Sequence, residues 1–181
     1  MKSSYKENRL DLVFKTLCAS IAPKKIVEFG ILEGYSLDVL VENRPDKCTI
    51  EAFDLFDDFP YNAAVYEDVN ERFGQYDGVL IEKADFYKSV DYFEDKSVDI
   101  MHIDIANDGL VYRWAIDNYM PKISEGGVIV LEGGSKERDD YDWMIKYNKE
   151  KINPYLESIK DEYNVTIIED FPSLTIIKKI K

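Results

Sequence analysis

Basic charge, cysteine, histidine and long apolar runs are what this 181-residue sequence has least of. Lys and Arg number 23 against 36 Asp and Glu, and the resulting net charge of −13 is spread along the chain rather than gathered in a tail. Such a surface repels a phosphate backbone, which turns the reading away from DNA or RNA and toward small molecules. The two cysteines, Cys18 and Cys48, lack CxxC spacing, so neither a disulfide framework nor a zinc cluster is supported. The single histidine, His102, sits inside an apolar run, where such a residue is most often a hydrogen-bonded core group; its functional version is orientation of a neighbouring side chain. No apolar stretch is long enough to cross a membrane, and MKSSYKENRL carries no apolar signal core. A cytoplasmic location is the expectation. Repeats and low-complexity tracts are absent too.

What is present suits one globular domain: 45% hydrophobic residues and 13% aromatics in a length that buries a single core. Residues 1–22 read as an N-terminal helical segment, 24–134 as a ligand-binding core, and 135–181 as a helix with a terminal hairpin. The chain is organised around Ile26 to Ser36, IVEFGILEGYS, where an apolar run meets Gly30 and Gly34 and passes into a helical pattern at Leu37, Val39 and Leu40. A strand, a tight turn and a helix start follow from that pattern. The glycines provide the backbone freedom of a sharp turn and allow close approach of a ligand, while the helix start offers unpaired N–H groups to an anion, with Ser36 as a cap or donor. Leu32 stands where a dinucleotide fingerprint needs its second glycine, so a nicotinamide-dependent oxidoreductase is only an alternative.

Leu10, Val13, Phe14, Leu17 and Ile21 recur at helical spacing before Pro23. CTIEAFDLF reads as a second strand, and Asp54 near its end, 20 residues beyond Gly34, is placed to accept hydrogen bonds from ribose hydroxyls. An acidic and aromatic loop, Phe56 to Tyr61, precedes a polar helical stretch from Asn62 to Phe73; Gly78 to Ile81 is a third strand and Val98 to Ile103 a fourth. Ligand sites in open α/β sheets lie outside the strand ends, which makes Asp104 the best candidate for chemistry. Ala106 to Met120 predicts a helix stopped by Pro121, and PKISEGGVIVLEGGS a fifth strand ending at Glu132. Neighbouring strand ends bring Asp104 and Glu132 together, the oxygen pair a Mg²⁺ or Ca²⁺ ion prefers. From Glu137 to Asp161 the pattern is helical, interrupted near Asn153-Pro154, and Arg138, Trp143, Lys146 and Tyr147 form either helix packing or a substrate-facing wall. Val165 to Ile168 and Leu174 to Ile177, around Phe171-Pro172-Ser173, read as a hairpin. The expected fold is a doubly wound α/β sandwich, mostly parallel and seven-stranded, with a C-terminal antiparallel hairpin.

An acidic residue two before the first glycine, followed by G-x-x-x-G-Y-S, resembles the first motif of class I S-adenosylmethionine-dependent methyltransferases, nearest the small O-methyltransferase branch. The resemblance implies that Glu28 faces the amino group of the cofactor's methionine part and that Gly30, Gly34 and Ser36 hold its carboxylate. Lys83-Ala84-Asp85-Phe86 is similar to the third motif, which implies Asp85 at the adenine amino group and Phe86 on the ring. The implied reaction is methyl transfer to a small-molecule acceptor, with Asp104 as base or, with Glu132, as ligand of a divalent cation. The chain departs from the metal-dependent members at Glu132 and Gly133, where they carry Asp-Asn, and at Asn107, where the catechol enzymes carry Lys. A non-catalytic cofactor-binding module is therefore the other reading. No nucleic acid or membrane partner is expected, and a homo-oligomer is compatible with the sequence.

Overall fold

A computed structural model describes residues 4–60, 62, 64–169 and 172–180; Tyr61 of the acidic loop and Phe171 of the hairpin turn lie outside the described residues. Seven strands form one sheet: β1 Lys25–Phe29, β2 Thr49–Asp54, β3 Val79–Lys83, β4 Val98–Ile103, β5 Ile123–Glu132, β6 Tyr163–Ile168 and β7 Leu174–Lys179. Their order is β3-β2-β1-β4-β5-β7-β6, parallel through β5, with β7 antiparallel to both β5 and β6. The order reverses between β1 and β4, so the crevice of this sheet opens where Phe29 and Ile103 end their strands.

Side chains alternate between the two faces, and the two halves of the core follow that alternation. Ile26, Ile100, Val128 and Val130 share one cluster with Phe14 of α2, Asp11–Ile21, and with Leu37 and Leu40 of α3, Tyr35–Asn43. A four-residue helix, α1, Ser4–Glu7, lies against the same face through Tyr5. On the opposite face Val27, Met101, Ile129 and Leu131 pack with Tyr112 of α5, Gly109–Trp114. That buried, two-sided environment is why the central strands are almost wholly apolar.

Three segments differ from their sequence pattern. The polar stretch after Asn62 is helical only as α4, Tyr66–Phe73. The helix expected from Ala106 begins at Gly109, because the Asp108 side chain accepts from Leu110 and Val111 N–H and fixes the start there, and it continues as a π turn, Ala115–Tyr119. The charged segment from Glu137 is three short helices, α6 Lys136–Asp139, α7 Asp142–Lys146 and α8 Ile152–Ser158. Pro154 lies in the first turn of α8, where a missing N–H costs nothing, so it marks a start rather than an interruption.

Candidate cofactor and acceptor site

The glycine turn is held by the protein's own atoms. Gly30 has φ +88°, and a Cβ there would fall 1.9 Å from the Asp104 carbonyl oxygen; at Gly34, φ +76°, it would fall 2.5 Å from the Phe73 ring. Both glycines are thus required by packing, independently of any ligand. Asp54 staples the turn: Oδ2 accepts from Ile31 N–H at 2.7 Å and Leu32 N–H at 3.2 Å, while Oδ1 accepts from Phe56 N–H and the Asn62 amide. The residue expected to meet a ribose thus also accepts from three backbone N–H groups and one side-chain amide. Gly34 N-caps α3 without a side-chain hydrogen bond, which leaves the first N–H groups of that helix open to an anion. Ser36 is turned inward and gives its hydroxyl proton to Glu28 Oε1 at 2.5 Å.

Period two then gathers the charged residues. Glu28, His102, Asp104 and Glu132 occupy the face that Ile26, Ile100 and Val130 share, and Glu28 stands directly beside His102 in the β1–β4 register. Both are fully buried, with His102 Nδ1 2.8 Å from Glu28 Oε1. Glu28 Oε2 has no partner among the described residues. Tyr5 packs against this pair: its hydroxyl lies 3.5 Å from His102 Nε2 and is hydrogen-bonded to Asp104. Nothing in the sequence marks Tyr5, because it precedes the periodic helix and is brought here only by the tertiary fold.

Asp104 and Glu132 do end neighbouring strands and feel each other's charge. Burial raises the Asp104 carboxyl above the usual range, with His102 and Tyr5 pulling it back. Burial, then Asp104, pushes Glu132 up to about 7, against the pull of Arg138. Arg138, offered by the sequence as helix packing or part of a substrate-facing wall, is paired with Glu132, a partner the sequence did not reveal. Its guanidinium is buried, donates from Nε to Glu132 Oε1 at 3.1 Å and from Nη2 to Oε2 at 3.2 Å, and gives a further bond to the Asn107 carbonyl. Trp143 faces it at 4.8 Å. Among the described residues no group of three or more His, Cys, Asp or Glu side chains is placed to hold a metal. A cation is already lodged against Glu132, so the pair does not fit a divalent ion as it stands. Asn107 is fully buried and clamps β4 to β5 by donating to the Ile103 and Glu132 carbonyls.

Asp85 and Phe86 lie apart from this cluster. Asp85 caps a short turn through Tyr87 N–H and pairs with Lys88 at 3.0 Å; Phe86 is buried among Phe29, Tyr87 and Tyr119. The open space is nearby, at the ends of β2 and β3: a cleft of about 750 Å³ bordered by Asp57, Tyr66, Lys83 and Tyr92, and a smaller one of about 330 Å³ against Leu32, Glu33 and Phe73. The larger has the volume a nucleoside needs. No helix among the described residues is long and apolar enough to cross a membrane.

Comparison with known proteins agrees with the fold. Residues 27–132, more than half of the chain, match the family model described as a methyltransferase domain. A methyltransferase from Podospora anserina solved with S-adenosylhomocysteine shares 18% identity at a TM-score of 0.71, over 100% of this chain and 80% of that one. An O-methyltransferase from Bacillus cereus in complex with S-adenosylhomocysteine shares 16% at 0.67, over 99% and 83%. A candidate caffeoyl-CoA O-methyltransferase from Staphylococcus aureus shares 18% at 0.69, over 99% and 93%. No curated protein matches the chain significantly. The glycine turn, the strand order and the matched segment together make this chain a member of the methyltransferase domain family, with the fold of class I S-adenosylmethionine-dependent enzymes.

Proposed function

We propose that this chain transfers the methyl group of S-adenosylmethionine to a hydroxyl oxygen of a small molecule. The observation that carries the reading is a pair of carboxylates on one face of adjacent strands: Glu28, fully buried with an unpartnered oxygen, and the half-buried Asp104, its proton affinity raised. An orphaned buried carboxylate oxygen fits an ammonium group, and the open N–H groups of α3 fit a carboxylate, which together suit an amino acid head. Glu28 and the start of α3 would hold that head, and the cleft beside Asp57 and Tyr92 would take the nucleoside. Asp54 acts by fixing the turn, and Ser36 and His102 by fixing Glu28. Asp85 and Phe86 shape the wall of the nucleoside side through the Tyr87 turn.

Bound there, the cofactor supplies a sulfonium methyl that leaves its electron pair on sulfur and needs one proton removed from the acceptor oxygen. Asp104 takes that proton; a carboxyl raised by burial is the better base near neutral pH. Tyr5, whose hydroxyl now satisfies Asp104, gives way to the acceptor hydroxyl. Small-molecule acceptors suit the acidic surface. The test is methyl-labelled cofactor with a panel of phenols, catechols and hydroxy acids. Transfer that falls about 100-fold or more in Asp104→Asn, with S-adenosylhomocysteine affinity kept, is the expected result. Equal rates in the variant would remove Asp104 from the chemistry, and cofactor binding without turnover on any acceptor would favour the binding-module reading.

A further inference from the structure

Two acidic side chains at neighbouring strand ends ordinarily invite a divalent cation, yet here a guanidinium has arrived first. Arg138 comes from α6, just after the Gly133-Gly134 turn that ends β5, and the sequence of that turn decides its reach: Gly133 has φ +101°, and the Arg138 Cγ lies 3.4 Å from where a Cβ would stand. Three of its donor positions can be followed. Nε and Nη2 hold both Glu132 oxygens and the Asn107 carbonyl, while Nη1 is buried with no partner among the described residues. A guanidinium needed only as glue between β5 and α5 would gain from pairing its last nitrogen; leaving it buried and unpaired costs free energy. Asp104 is close enough to feel the same charge.

We infer that Arg138 is the permanent cation of the acceptor site: Nη1 donates to the acceptor oxygen while Asp104 receives that oxygen's proton, so methyl transfer here needs no metal. One fixed donor serves one oxygen, and the acceptor class is a lone hydroxyl rather than a vicinal diol of the kind that chelates a metal ion. This rests on the proposed methyl transfer to oxygen. Arg138 is an acceptor-positioning residue, and its two bonds to Glu132 orient it.

The test is calorimetric titration of metal-free protein with Mn²⁺, with and without S-adenosylhomocysteine, in the wild type, Arg138→Gln and Arg138→Lys. The expected result is no stoichiometric Mn²⁺ binding to the wild type or the Lys variant, and affinity at least tenfold higher in the Gln variant, where Asp104 and Glu132 are released. Wild-type protein that binds one Mn²⁺ tightly, and loses it in Asp104→Asn, overturns the inference. So does a folded Gln variant with unchanged affinity. If the Gln variant does not fold, the wild-type titration decides alone. A failure of S-adenosylhomocysteine to bind the wild type strikes the proposed function instead, and is read separately in the same experiment.

Discussion

The glycine turn and the buried face beneath Tyr5 are adjacent in space and opposite in character. In the turn every polar atom of Asp54 is met by the protein and each glycine is filled by a neighbour, Asp104's carbonyl in one case and the Phe73 ring in the other. Beneath Tyr5 charge outruns its partners: Glu28 Oε2 and Arg138 Nη1 are buried and unpaired, and two carboxyls are pushed toward neutrality. Buried polar groups are nearly always satisfied in a folded protein, and two unsatisfied charged atoms on one face are what the proposed ligands would complete. The turn is a scaffold. In the proposed function the face is the site.

Changes in the scaffold should act on folding. Gly30→Ala is expected to have the largest effect, a loss of about 4 kcal/mol or outright unfolding in urea, since a Cβ would meet backbone at a φ that L residues avoid. A mild loss would mean that β1 and β4 can part, and that the turn is as yielding as the face. The face should instead announce itself through pH. An unfolded chain releases the Glu132 proton near 4.5, but the folded protein holds it to about 7. Unfolding free energy therefore falls as pH rises through that window and levels off above it, by roughly 3 kcal/mol at most. Urea midpoints across pH 4.5 to 8 check this, and Glu132→Gln should flatten the slope. The smallest effect belongs to Asp85→Ala, which loses a cap to Tyr87 N–H: about 0.5–1 kcal/mol of stability, with S-adenosylhomocysteine affinity changed less than threefold. A larger loss of affinity would move Asp85 from scaffold to site.

The same contrast explains what could be read in advance. Strand periodicity, the glycines and the hairpin pattern are local signals, and the strand order from β1 to the antiparallel β7 follows them. Asp104 and Glu132 were legible because they end neighbouring strands, and Glu28 through its resemblance to the family's first motif; period two sets the three on one face. The place of Tyr5 and the partners of Arg138 were not, since each lies in a short helix that acquires its position from long-range contacts: Tyr5 from the packing of α1 near α3, Arg138 from the bend at Gly133-Gly134. At Asp54 the spacing pointed to a ribose, and the fold adds what no spacing argument can foresee: its carboxylate also accepts four hydrogen bonds from the protein.

The central claim, that the unpaired oxygen of Glu28 awaits the cofactor's amino group, is tested most directly by titrating the wild type and Glu28→Gln with S-adenosylhomocysteine, NAD serving as the control. The amide keeps the shape beside Ser36 and His102 but removes the charge. Micromolar binding weakened at least tenfold by the substitution, with no binding of NAD, is the predicted result; that difference corresponds to about 1.4 kcal/mol or more. Equal affinity in the two proteins, or saturable binding of NAD alone, would contradict the account.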